Sequence, residues 1–122
     1  MEKFTSLEQA EETYPLHRYH IMTDEHADEV VVECIRNSAW AFRPEFLETM
    51  TEIPAAVYSL LGEQCENSND AVLTLIEKTC GFDAFVQQAV LLDGRGQFIA
   101  HYDGEEIEIE IDGQPHFVYR FD

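Results

Sequence analysis

Over its last quarter the chain alternates apolar and polar residues in three runs separated by Asp-Gly pairs. In residues 97–102, Phe98, Ala100 and Tyr102 share one face, and Gln97, Ile99 and His101 share the other. In 106–111, Ile107, Ile109 and Ile111 face one way and Glu106, Glu108 and Glu110 the other. The closing run, 115–121, sets Phe117, Tyr119 and Phe121 against His116, Val118 and Arg120. A period of two is that of a half-buried strand. Asp103-Gly104 and Asp112-Gly113 tolerate the positive φ angles of tight hairpin turns. The pattern predicts a three-stranded antiparallel meander over 92–122, one face wet and the other on helices. Asp93-Gly94-Arg95-Gly96 reads as the helix-to-strand turn that leads into it.

Upstream the period becomes helical. Thr5 and Ser6 followed by Glu8 and Gln9 resemble a capping box, which predicts a short helix through about Glu12 that Tyr14-Pro15 ends. Leu16–Met22 reads as a short strand or an extended segment. Thr23-Asp24 caps a helix reaching about Ser38, with Val30, Cys34 and Ile35 on one side; the β-branched run Val30–Val32 pulls toward strand. Pro44 and Pro54 each mark a first helical position. The first helix would bury Phe46, Leu47 and Met50, and the second Val57, Leu60 and Leu61. A third starts at Ser68 or Asn69, buries Val72, Leu75, Ile76 and Cys80, and stops at Gly81. A fourth, capped by Asp83, buries Phe85, Val86, Ala89 and Val90. The expected class is α+β in a single domain, 1–122. A helical N-terminal part (1–38) and a layer of short helices (39–91) pack on the C-terminal meander (92–122).

Charge narrows function more than composition does. Seven basic residues face 25 acidic ones, a formal net charge of −18. Such a field repels nucleic acid and anionic membranes, so neither is an expected direct partner. It leaves solubility, docking on a basic protein surface, or mimicry of a nucleic acid. No apolar run is long enough to span a bilayer, and the acidic start MEKFTSLEQAEETY is unlike a secretory signal, so a cytoplasmic location is expected. Cys34, Cys65 and Cys80 form no CxxC pair and read as small buried hydrophobes.

Catalytic and metal signatures are thin. The DGRG turn lacks the P-loop pattern and the strand–loop–helix setting. His17, His20 and His26 find no cysteine or carboxylate spacing that completes a metal site, so no metal and no cofactor is expected. Ser38, Ser59 and Ser68 lack the GxSxG context, and Cys65 has no histidine partner in sequence. The chain is expected not to be an enzyme. Trp40, Phe42 and Tyr102 suit either a core or an aromatic anchor on a partner surface. The acidic ladder is the better lead. Alternate strand residues lie about 7 Å apart, on the order of the phosphate spacing along a nucleic-acid strand. Asp103, Glu105, Glu106, Glu108, Glu110 and Asp112 are therefore the expected partner-binding residues, facing a basic surface. An edge strand after Tyr119 could pair with a second copy, which leaves monomer and homodimer open.

The segment SNDAVLTLIEKTCGFDAFVQQAVLLDGRGQFIAHYDGEE and the tail FVYRFD resemble a family of small acidic phage, plasmid and mobile-element proteins with a DGRGxFxxxYDGEE-like motif. The matching positions are Asp93, Gly94, Arg95, Gly96, Phe98, Tyr102, Asp103, Gly104, Glu105 and Glu106, with Tyr119 and Arg120 in the tail. The resemblance covers roughly Ala39 onward, and the first 38 residues are more particular to this chain. It implies a mobile-element setting, where small acidic proteins block host defence nucleases, and it brings no catalytic residues. The resulting expectation is a non-enzymatic acidic protein that antagonises a host defence nucleoprotein, by anti-CRISPR or anti-restriction DNA mimicry. An interaction module with no inhibitory role and a small metal-dependent hydrolase are the alternatives.

Overall fold

Strand β1 (Glu2–Phe4) leads into helix α1 (Leu7–Thr13), which starts as its sequence predicts. Ser6 Oγ accepts the Gln9 N–H at 3.2 Å, and Gln9 Oε1 accepts the Thr5 N–H at 2.7 Å. The computed structural model describes residues 1–122 and resolves the Leu16–Met22 ambiguity as strand β2 (Tyr19–Thr23). Helix α2 (Asp24–Ser38) follows directly, its first turn held by Thr23 Oγ1 accepting the His26 N–H at 3.2 Å. The helical spacing prevails over the β-branched Val30–Val32 run. Next come α3 (Pro44–Thr51), α4 (Ala55–Gly62), α5 (Asn69–Lys78), α6 (Phe82–Asp93) and the short α7 (Arg95–Ile99), with single 3₁₀ turns at Ala39–Ala41 and Cys65–Ser68. Strands β3 (Ile107–Ile111) and β4 (Gln114–Arg120) close the chain.

The α+β class holds, but the sheet is not a three-stranded antiparallel meander. It has four strands in the order β1-β3-β4-β2, with β1 parallel to β3 and the other pairs antiparallel. Only the β3–β4 hairpin is local. Its two-residue turn carries φ of 50° at Asp112 and 79° at Gly113, the left-handed pair that Asp-Gly was expected to supply. The run 97–102, expected as the first strand, instead holds the end of α7 and the turn after it. The place it would fill beside β3 is taken by β1, with Glu2 opposite Ile109 and Phe4 opposite Ile111. The DGRG segment is accordingly a helix-to-helix turn, Gly94 at φ 80° separating α6 from α7.

By contact density the chain divides into two units, residues 1–32 with 93–122, and residues 33–92 between them. In the sheet unit, Ile109, Ile111 and Val118 pack with Ala10 of α1 and with Tyr14 just past its end, with Phe4, Tyr19, Ile21 and Ile107 around them. Alternation turns Glu108, Glu110, Phe117 and Tyr119 to the opposite face. The Tyr14 hydroxyl donates to the Glu2 carboxylate across β1. Burial, then that bond and the glutamate's charge, push the Tyr14 pKa from 10.0 up to about 12. A phenol protonated more firmly in the folded than in the unfolded chain contributes stability that is complete below pH 10 and is lost as pH rises toward 12. The unfolding free energy should therefore fall above pH 10 by about 1.4 kcal/mol per pH unit for each such tyrosine. Urea melts at stepped alkaline pH check this, and Tyr14→Phe should flatten the slope.

The helical unit is built on Ile35, Leu47, Tyr58, Val72, Ile76 and Phe85. Phe42, Phe46 and Phe85 form an aromatic cluster with centroids 5.0–5.6 Å apart. Asn69 ties two segments: its Oδ1 accepts the Trp40 N–H at 3.1 Å, and its Nδ2 donates to the Arg36 carbonyl at 2.8 Å. Three expectations fail here. Helix α6 begins at Phe82, whose N–H is accepted by Glu77 Oε2 at 3.1 Å, so the Asp83 cap is not used. Cys65 is exposed. In α4 the buried residue is Tyr58, while Val57 and Leu60 face solvent. The Thr51 hydroxyl gives its one proton to the Leu47 carbonyl at 2.7 Å, so the Tyr58 hydroxyl donates to it, also at 2.7 Å. That buried bond lies on the side of α4 that turns inward.

Candidate functional site: the Arg95 node and the acidic strand

The motif residues meet one another. Gly94 leaves α6 with a left-handed φ, and α7 places the Arg95 side chain, 11% exposed, over the Phe117 ring at 4.5 Å. Its Nε donates to Glu106 Oε1 at 2.8 Å, and its Nη1 donates to Asp24 Oδ1 at 2.7 Å and Asp28 Oδ1 at 3.0 Å. The Tyr119 hydroxyl, on a fully buried side chain, donates to the same Glu106 oxygen. Beside this cluster, Gly96 abuts the Gly104–Glu105 backbone: a Cβ built there would lie 2.3 Å from the Gly104 carbonyl oxygen. Tyr102 N–H donates to the Arg120 carbonyl at 3.1 Å, and the Arg120 guanidinium lies 3.8 Å over the Tyr102 ring. DGRG, YDGEE and the Tyr119-Arg120 tail are thus three parts of one interlock.

Its electrostatics follow from crowding. Burial alone would lower the Arg95 pKa, but the bonds to Glu106, Asp24 and Asp28 outweigh it and the guanidinium is held charged. Burial first, then the bond to Glu106 and that carboxylate's charge, raise the Tyr119 phenol. Burial also raises Tyr58 and Cys34. Each of these shifts moves its group further from the neutral range that general acid–base catalysis uses. The arrangement fastens charge in place and presents carboxylates outward.

The expected ladder is divided by this node. Glu106 belongs to it, with a side chain 33% exposed. Glu108 is exposed on β3 opposite Phe117, and Glu110 is half-buried between Lys3 of β1 and Pro115 of β4. Glu105 is exposed, and its N–H is accepted by Asp103 Oδ1 at 3.0 Å. Asp112 sits at the hairpin tip, its N–H donated to the Phe4 carbonyl at 2.9 Å. Asp24 and Asp28 were not expected at the site. Their four-residue spacing on one helix face was the available signal, together with the scarcity of basic residues. The histidines do not converge: His20 stacks on Phe121 at 4.3 Å, and no group of three His, Cys, Asp or Glu side chains is placed to hold a metal ion. An open pocket of about 450 Å³ lies in the helical unit, lined by Arg36, Glu77 and residues 80–84. No helix is long and apolar enough to cross a membrane. No family model, curated protein or solved structure matches the chain.

Proposed function

We propose that this chain is a non-enzymatic binding protein of a mobile element, which antagonises a host defence nucleoprotein by setting carboxylates where that partner expects phosphates. The observation that supports the reading is how little of the acidity is neutralised internally. Of 25 acidic side chains, only Asp24, Asp28 and Glu106 are ion-paired, all by Arg95. Arg36 and Arg120 are engaged with aromatic rings instead. A surface that leaves its carboxylates free keeps them available to lysines and arginines of a partner, whose charges steer encounter and fix register.

The test must spare Glu106, because reversing it would break the Arg95 node. Glu105→Lys, Glu108→Lys and Glu110→Lys together should abolish recovery of a basic nucleic-acid-binding complex from host lysate. The unmodified chain should recover that complex at low salt and lose it as salt rises. Competition by duplex DNA for the same complex separates mimicry from an interaction without inhibitory role. Recovery that survives both the triple reversal and excess DNA would overturn the reading. The circular dichroism of the reversed chain should be unchanged, since none of the three side chains is ion-paired.

A further inference from the structure

Helix α4 carries its apolar stripe on the wrong side for a core. Val57, Leu60 and Leu61 stand at the i, i+3, i+4 spacing of a buried face. Yet Val57 is 38% and Leu60 65% exposed, Leu61 is half-buried, and Tyr58 takes the inward place. The helix holds no charged residue at all. Around it the chain is strongly acidic: between Arg43 and Lys78 there are seven carboxylates and no basic residue. Glu52, just before α4, and Glu63 and Glu66, just after it, are all exposed. An uncharged apolar stripe with acids at both ends is complementary to a helix whose leucine-like face is flanked by lysines or arginines.

We infer that α4 is a docking surface for a basic amphipathic helix of a partner protein, independent of the acidic strand of the sheet unit. The partner's apolar residues cover Val57 and Leu60, and its cations reach Glu52, Glu63 and Glu66. A second copy of this chain is the poorer occupant, because it would bring Glu52, Glu63 and Glu66 against their equals. An anionic bilayer is disfavoured on the same ground.

The test uses the full chain and a labelled leucine–lysine peptide of about 18 residues, amphipathic as a helix. Its scrambled isomer, identical in charge, is the control. By fluorescence anisotropy at about 150 mM salt, the amphipathic isomer should bind at least roughly tenfold tighter than the scrambled one. Val57→Asp with Leu60→Asp should abolish that preference, even though it adds two negative charges that would tighten a purely electrostatic complex. Val57→Ser with Leu60→Ser, which leaves the charge alone, should do the same. The Glu105, Glu108 and Glu110 reversal should leave the preference intact, which separates this surface from the one proposed above. Equal binding of both isomers, or tighter binding by the aspartate variant, would overturn the inference. So would a dimer in sedimentation that the aspartate variant dissolves, because it would assign the stripe to a second copy.

Discussion

Gly96→Ala is expected to lower the unfolding free energy by about 3 kcal/mol, the upper end for inserting one carbon into a filled space. In an ordinary helix the same change would help, since alanine gives up less chain entropy than glycine. Here the added carbon would meet the Gly104 carbonyl oxygen at 2.3 Å, the Glu105 carbonyl carbon at 2.9 Å and the Gly104 carbonyl carbon at 3.0 Å. All three are backbone atoms, so no side-chain rotation relieves the contact. Either α7 shifts or the Asp103–Glu105 turn does, and each motion pulls Glu106 away from Arg95. Urea unfolding followed by circular dichroism measures the loss. A variant as stable as the parent would show that α7 and this turn do not pack as described.

The companion prediction concerns charge. Arg95→Ala should cost about 2–3 kcal/mol, less than the full penalty for breaking a buried pair, because Asp24 and Asp28 are 60% and 66% exposed and partly screened. Most of the loss belongs to Glu106, which would keep only the Tyr119 hydroxyl beside two other carboxylates. The repulsion left behind is ionic, so added salt should return part of the lost stability in the variant. Arg95→Lys should fall between the two, since one ammonium cannot reproduce the separate Nε and Nη1 bonds. Urea melts of the three chains at low and high salt give the comparison. An Arg95→Ala chain with parental stability at both would refute the node's role.

What could be read in advance was local. The Ser6 cap, the Thr23 start of α2, the proline-led α3, and the Ile–Glu alternation with its Asp-Gly turn each depend on neighbours a few residues away. Phe98, Ala100 and Tyr102 give the segment 97–102 a strand-like alternation, but the residues buried along α7 and just past it, Gly96, Ile99 and Ala100, follow a helical spacing. The decision came from Glu2–Phe4, which lie about a hundred positions away and occupy the edge of β3 that a hairpin would have used. At the site, the acidic residues were visible but their allegiance was not. Glu106 sits in the same ladder as Glu108 and Glu110, and only the fold brings Arg95, Asp24 and Asp28 to it. The DGRG and YDGEE segments could be recognised as a pattern. That they are pressed together, glycine to backbone and arginine to glutamate, depends on a turn of the chain that no short window contains. In α4, likewise, the inward place goes to Tyr58, whose hydroxyl meets a buried threonine.

The place of residues 33–92 within the chain bears on the order of events during synthesis. The segment interrupts the sheet unit, whose strands β1 and β2 are translated well before β3 and β4. At about 5–20 residues per second, roughly 5–20 s separate the appearance of Glu2 from that of its partner Ile109. Over that interval the helices of the middle segment have all their mutual contacts within reach, and the first two strands have nothing to pair with. The nascent chain should therefore acquire its helices first and its sheet last. Peptides that present a β3-like edge would be most able to intercept it while the ribosome is still at work.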